Sequence, residues 1–125
     1  MRVALTVWEN RISPLFDSAR SLFIVEVENG KVLRKYYEPF NSDVPFSKPA
    51  KLSDLGVQVL VCGAVSESLA NMVEAQGIRT VPFVAGEVNR VLDAYLKGIL
   101  SDPDFRMPGW EKRYGVKNQT DGKNG

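Results

Sequence analysis

Asn29-Gly30 stands between two strand-like runs, residues 21–28 (SLFIVEVE) and 31–38 (KVLRKYYE). Asn and Gly reach positive φ with little strain, and a two-residue hairpin loop needs that conformation to match the twist of its strands. The pair therefore predicts a tight antiparallel hairpin, with Phe23, Val25 and Val27 on one face of its first strand. Pro39 and the stretch FNSDVPFS then end the regular pattern. Upstream, residues 2–7 (RVALTV) read as a short buried strand. Residues 8–20 (WENRISPLFDSAR) read as a long connection, because Pro14 cannot donate to a central ladder.

From about Lys48 the pattern changes to alternating helices and strands. PAKLSDLG predicts a short helix closed by Gly56, and residues 57–62 (VQVLVC) a buried strand. Residues 66–76 predict a helix that Gly77 ends, and residues 78–83 a short strand limited by Pro82. Residues 87–97 form the best helical pattern, with Val88, Val91, Leu92, Tyr95 and Leu96 on one stripe and Gly98 after it. The order β-β-β-α-β-α-β-α predicts an α/β domain: a mixed five-stranded sheet with an N-terminal antiparallel hairpin and flanking helices. The first strand should lie near the centre, with the hairpin on one side and parallel strands on the other. Residues 1–100 are expected to form the domain and 101–125 a tail. Phe105, Met107 and Trp110 are expected to dock, and the polar residues 115–125 to be disordered.

At 125 residues, 44% hydrophobic and 25% charged, the chain can bury one core. A net charge of +1 from 16 basic and 15 acidic residues gives no broad field for nucleic acid or acidic lipid. No run approaches the roughly 20 apolar residues of a membrane span, and the N-terminal apolar run is too short for a signal segment. One cysteine, Cys62, allows no internal disulfide, so a cytoplasmic location is expected. There is no histidine, which removes Ser-His, Cys-His and His-metal arrangements.

Two segments could carry chemistry. The loop after the first strand joins the donors Asn10, Arg11 and Ser13 to the rigid Pro14, and Arg11 and Arg20 could fork onto an anion. A solvated loop, with Arg11 paired to Glu9 or Asp17, is the alternative. The second segment is Cys62-Gly63-Ala64-Val65-Ser66, where a parallel strand gives way to a helix. Ligands bind outside the carboxyl ends of such strands, Gly63 would let a ligand approach closely, and Ser66 would cap a helix whose first N–H groups favour anions. Here the alternative is a buried apolar thiol and a plain cap. Nuclease chemistry lacks clustered carboxylates at strand ends. Redox chemistry lacks both C-x-x-C and G-x-G-x-x-G.

Together these residues resemble a known family. The block R-I-S-P-x-F-D-x-A-R after a short strand, then a strand and hairpin, is similar to the dinitrogenase iron–molybdenum cofactor biosynthesis family, the NifX-type domain. The stretch LSDLGVQVLVCGAVSESLANMVEAQGIRTV fits it too, and so does the helix ending AYLKG. The resemblance spans roughly residues 1–100. It implies a ribonuclease H-like fold without nuclease activity, and binding or carriage of iron–sulfur or molybdenum-containing clusters alongside cofactor-assembly proteins; with no base and nucleophile pair, no catalysis is expected. By position, Arg11, Ser13, Asp17 and Arg20 fall in the family's first loop and Cys62 with Gly63 in its second, and the two should meet at one end of the sheet. Many members carry histidine where this chain has Leu15, another where it has Ser47 and Lys48, and cysteine after MPG where it has Trp110. The expected site is therefore Asn10, Arg11, Ser13, Asp17, Arg20, Cys62, Gly63, Ala64 and Ser66. It would hold an anionic iron–sulfur or molybdenum–sulfur cluster non-covalently or through one thiolate, with Cys62 as the metal ligand. The alternative is a regulatory or scaffolding domain acting through protein contacts, with Trp8 and Trp110 exposed.

Overall fold

The computed structural model describes residues 1–42 and 44–107. Its strands are β1 (Arg2–Trp8), β2 (Arg11–Ile12), β3 (Ser21–Glu28), β4 (Lys31–Pro39), β5 (Val59–Val61) and β6 (Arg79–Val81). Its helices are α1 (Lys48–Asp54), α2 (Glu67–Ala75) and α3 (Val88–Lys97). The sheet runs β4-β3-β1-β5-β6, antiparallel among β4, β3 and β1 and parallel from β1 to β6. The expected central β1, flanked by the hairpin and by parallel strands, is what forms. Asn29 and Gly30 take φ of 53° and 78°, as the hairpin turn requires.

Two local readings need correction. The connection over residues 8–20 contains a sixth strand, β2, which folds back so that Val7 faces Ile12 and Trp8 faces Arg11. Val7 also pairs with Ser21 of β3, so β2 takes the other side of β1, beyond the residues that pair with β5. Pro14 does not prevent this ladder because it lies outside it. The ladder was hidden because its turn uses Glu9 at φ 57° instead of a glycine. Second, Pro39 does not break β4 but closes it, paired with Ser21, where an edge strand tolerates a missing N–H.

Alternation along the strands builds two cores. Val3, Leu5, Val25, Val59 and Val61 face α3 and its Val88, Val91 and Leu92. Ala4, Leu22, Ile24, Leu60 and Cys62 face the other way, against Leu52 of α1 and Leu69 and Val73 of α2. The helix ends are set locally. Ser66 Oγ accepts from Leu69 N at 3.4 Å, and the Glu87 carboxylate accepts from Asn89 N and Arg90 N at 3.2 and 3.1 Å. Gly98 ends α3 at φ 76°. Phe105 packs against the α3-side core, and Met107 N donates to Phe83 O at 2.9 Å. Trp110 and residues 115–125 lie outside the described residues. Among the described residues, no helix is long and apolar enough to cross a membrane.

Candidate functional site

β1 and β5 are parallel, so the loops that leave their carboxyl ends emerge side by side. Backbone hydrogen bonds sew them together. Ser13 N donates to Thr6 O at 2.9 Å, Ala64 N to Pro14 O at 2.9 Å, and Phe16 N to Ala64 O at 2.8 Å. Asp17 Oδ1 then accepts from Ser66 N at 3.0 Å, at the start of α2. Ser13, Asp17, Gly63, Ala64 and Ser66, expected at the site from two distant stretches of sequence, thus meet in one junction.

That junction uses its polar groups internally. A Cβ on Gly63 would stand 2.6 Å from Pro14 O and closer still to Ser13 O. Gly63 therefore admits the neighbouring backbone of Ser13 and Pro14. The Asp17 carboxylate already supplies negative charge to the first turn of α2, satisfying the helix end that an anion would otherwise favour. Beneath it Cys62 is fully buried. Burial, reinforced by the negative charge of Asp17, pushes its thiol from 9.0 up to about 12. At neutral pH the metal-free chain therefore holds Cys62 as a buried, neutral thiol.

Beside the junction lie two open grooves that meet at Ser18, Ala19 and Arg20. One, of about 630 Å³, is lined by Trp8, Ser13, Pro14, Arg20 and Tyr37. The other, of about 420 Å³, is lined by Asp17, Arg20, Phe40 and Lys48. Lys48 is not among the expected site residues, and it is 2% exposed. Its Nζ donates to Asp17 O at 2.6 Å and sits 5.9 and 5.1 Å from the ring centres of Phe16 and Phe40. A buried ammonium needs such partners. They come from distant parts of the chain, so no local pattern announces them.

Asn10 and Arg11 belong to a different environment. Asn10 O accepts from Val88 N at 2.8 Å, and Arg11 bridges Glu87 through the backbone. Arg11 is exposed opposite Trp8, on the same face of the small ladder, and lines neither groove. The expected partnership of Arg11 with Arg20 therefore reduces to Arg20 in both grooves and Arg11 beside Trp8. Among the described residues, no three His, Cys, Asp or Glu side chains come together as a metal site.

Comparison with known proteins adds sequence and fold relationships. The family model described as dinitrogenase iron-molybdenum cofactor matches residues 1–98. No curated protein matches the sequence. Among solved structures, PH0822 superposes with a TM-score of 0.72 at 20% identity, covering 78% of this chain and 91% of that one. The MJ0327 protein of Methanocaldococcus jannaschii gives 0.66 at 19% identity over 79% and 90%. The apo orange protein of Desulfovibrio gigas gives 0.66 at 19% identity over 78% and 88%. At these identities the likeness shows a shared fold.

Proposed function

The chain belongs to the dinitrogenase iron–molybdenum cofactor family, and on that premise we propose that it is a small carrier or binding protein for an anionic metal–sulfur cluster, iron–sulfur or molybdenum-containing, or for its precursor. The observation that carries this reading is the exposed Arg20, which lines both grooves, with Glu9 as the carboxylate of the larger and Asp17 as that of the smaller, where the buried Lys48 sits behind the wall. A thiomolybdate-like ion is anionic and rich in polarisable sulfur. A guanidinium offers it charge-assisted hydrogen bonds, and Trp8 and Tyr37 offer apolar faces.

The side chains fit a cargo held by charge and hydrogen bonding. They do not fit a metal held by several protein ligands, since histidine is absent, the one cysteine is fully buried, and among the described residues no three His, Cys, Asp or Glu side chains come together. In this reading Ser13 and Arg20 contact the cargo and Arg11 adds charge at the rim. Asp17, Cys62, Gly63, Ala64 and Ser66 build the junction that holds the wall in position, and Asn10 sits in the turn between β1 and β2 and anchors the start of α3. The domain works in the cytoplasm, catalyses no reaction, and exchanges its cargo with cofactor-assembly proteins.

Anaerobic titration of the full chain with tetrathiomolybdate tests the assignment. Arg20→Ala should weaken binding about tenfold, the scale of one charge-assisted hydrogen bond, while Cys62→Ser should leave it unchanged. Full affinity in Arg20→Ala would remove the groove from the account. Loss of binding in a folded Cys62→Ser protein would restore thiolate ligation. A second reading, a scaffold acting through protein contacts, draws on Trp8 and Leu15, which are 61% and 41% exposed. A colourless protein that co-purifies with a partner would favour it.

A further inference from the structure

The larger groove beside the junction carries charge of both signs. Arg20 and Glu9 line it, and both are exposed. Among the described residues neither makes an ion pair. An anion in this groove is therefore drawn to one wall and repelled by another, and charge alone gives it a weak hold.

Two aromatic rings supply the rest of the surface. Trp8 and Tyr37 line the same groove and are 61% and 59% exposed. Tyr37 leans on Phe23 of β3, with ring centres 4.9 Å apart, so part of its ring serves the sheet. Trp8 makes no ring contact among the described residues and belongs to neither core. Its backbone is nonetheless held. Val88 N donates to Asn10 O at 2.8 Å and Ile12 N to Gly86 O at 2.9 Å, which ties the turn after Trp8 to the start of α3. The indole is a positioned surface that the packing of the domain does not use.

Sulfur-rich and oxygen-rich anions of equal charge gain differently from such a ring. An oxyanion concentrates charge on small, strongly hydrated atoms, and leaving water for an apolar surface costs it more than it gains. Sulfur is larger and more polarisable and gives up water more readily. It also makes favourable contact at the edge of an aromatic ring, where the ring's charge distribution is positive. A guanidinium attracts both kinds of anion.

We infer that Trp8 is the specificity-determining residue of this groove. It makes the groove prefer a sulfur-rich anion to an oxyanion of the same shape and charge, while Arg20 attracts both. This rests on the reading of the groove as an anion site.

Equilibrium dialysis of the full chain without oxygen, against tetrathiomolybdate and against molybdate, compares two tetrahedral dianions of one metal. Bound molybdenum is measured in each case. The unsubstituted chain should bind the thioanion about tenfold more tightly. Trp8→Ala should cut that preference about fivefold by weakening the thioanion alone. Its thermal midpoint should not change, because Trp8 is exposed and outside both cores. Arg20→Ala should weaken both anions in the same proportion and leave the preference standing. Equal affinity of the unsubstituted chain for the two anions, or an undiminished preference in Trp8→Ala, overturns the inference and leaves the groove an anion site. Binding of neither anion overturns both the inference and the reading of the groove.

Discussion

Cys62 and Lys48 show how burial decides what a reactive side chain can do. Cys62 has its thiol raised to about 12, first by burial and then by the negative charge of Asp17. A thiol reagent such as dithiobis(nitrobenzoate) should leave the native protein untouched at pH 8 and react with one thiol after denaturation. Rapid native labelling would contradict the burial. The same shift makes stability depend on alkaline pH. Below about 9.0 both folded and unfolded states keep the proton and the contribution is fully present. As pH rises toward about 12 only the unfolded state has released it, so stability falls, and Cys62→Ala should flatten that decline. Lys48 ties α1 to the loop carrying Asp17 through one hydrogen bond and two aromatic faces. Lys48→Met keeps the stem but leaves Asp17 O without this donor, and should lower the unfolding free energy by about 1–3 kcal/mol in urea titration. An unchanged midpoint would mean the bond contributes nothing net.

At the scale of elements, the junction between the loops after β1 and β5 is the tightest feature of the fold. Gly63→Ala would press a methyl group onto two backbone carbonyls that cannot move independently, since Ala64 N and Phe16 N bind the same stretch. The variant should lose about 3 kcal/mol or fail to fold. At the other face, Glu87 caps α3. Its carboxyl is held below the usual carboxylate range by the Asn89 backbone N–H first; desolvation opposes this, and the Arg90 N–H, the Asn89 side chain and the Arg90 charge lower it further. A lowered carboxylate value adds stability that is present near neutral pH and lost as pH falls through the carboxylate range. Glu87→Ala should cost about 1 kcal/mol at pH 7 in thermal or urea unfolding, and less at pH 3. Equal costs at both values would show that the charge plays no part. Helix stops, caps and the Asn29-Gly30 hairpin were readable because each rests on residues adjacent in sequence. β2 was not, because it is two residues long and its turn uses Glu9 at positive φ without a glycine.

For the whole molecule, the sheet order followed from connection rules, since a hairpin and two parallel crossovers leave β1 the central position. That the two family-like segments meet at one end of the sheet also followed from position. What they do there did not. The sequence offered Gly63, Asp17 and Ser66 as ligand groups, but folding pairs Asp17 with Ser66 and seats Gly63 against the Ser13 and Pro14 carbonyls, and the open wall is made by Arg20 instead, with the buried Lys48 behind it. Sequence spacing reports which loops are neighbours, whereas the state of each polar group depends on partners from the other loop. The central claim is that this wall holds an anionic metal–sulfur cargo. Its most direct test is to purify the full chain without oxygen, add tetrathiomolybdate or an iron–sulfur precursor, remove excess by gel filtration, and record the visible spectrum and metal content. The account expects a coloured complex of fixed stoichiometry that survives filtration and weakens at high salt, as charge-held cargo should. A colourless, metal-free protein after that treatment would contradict it.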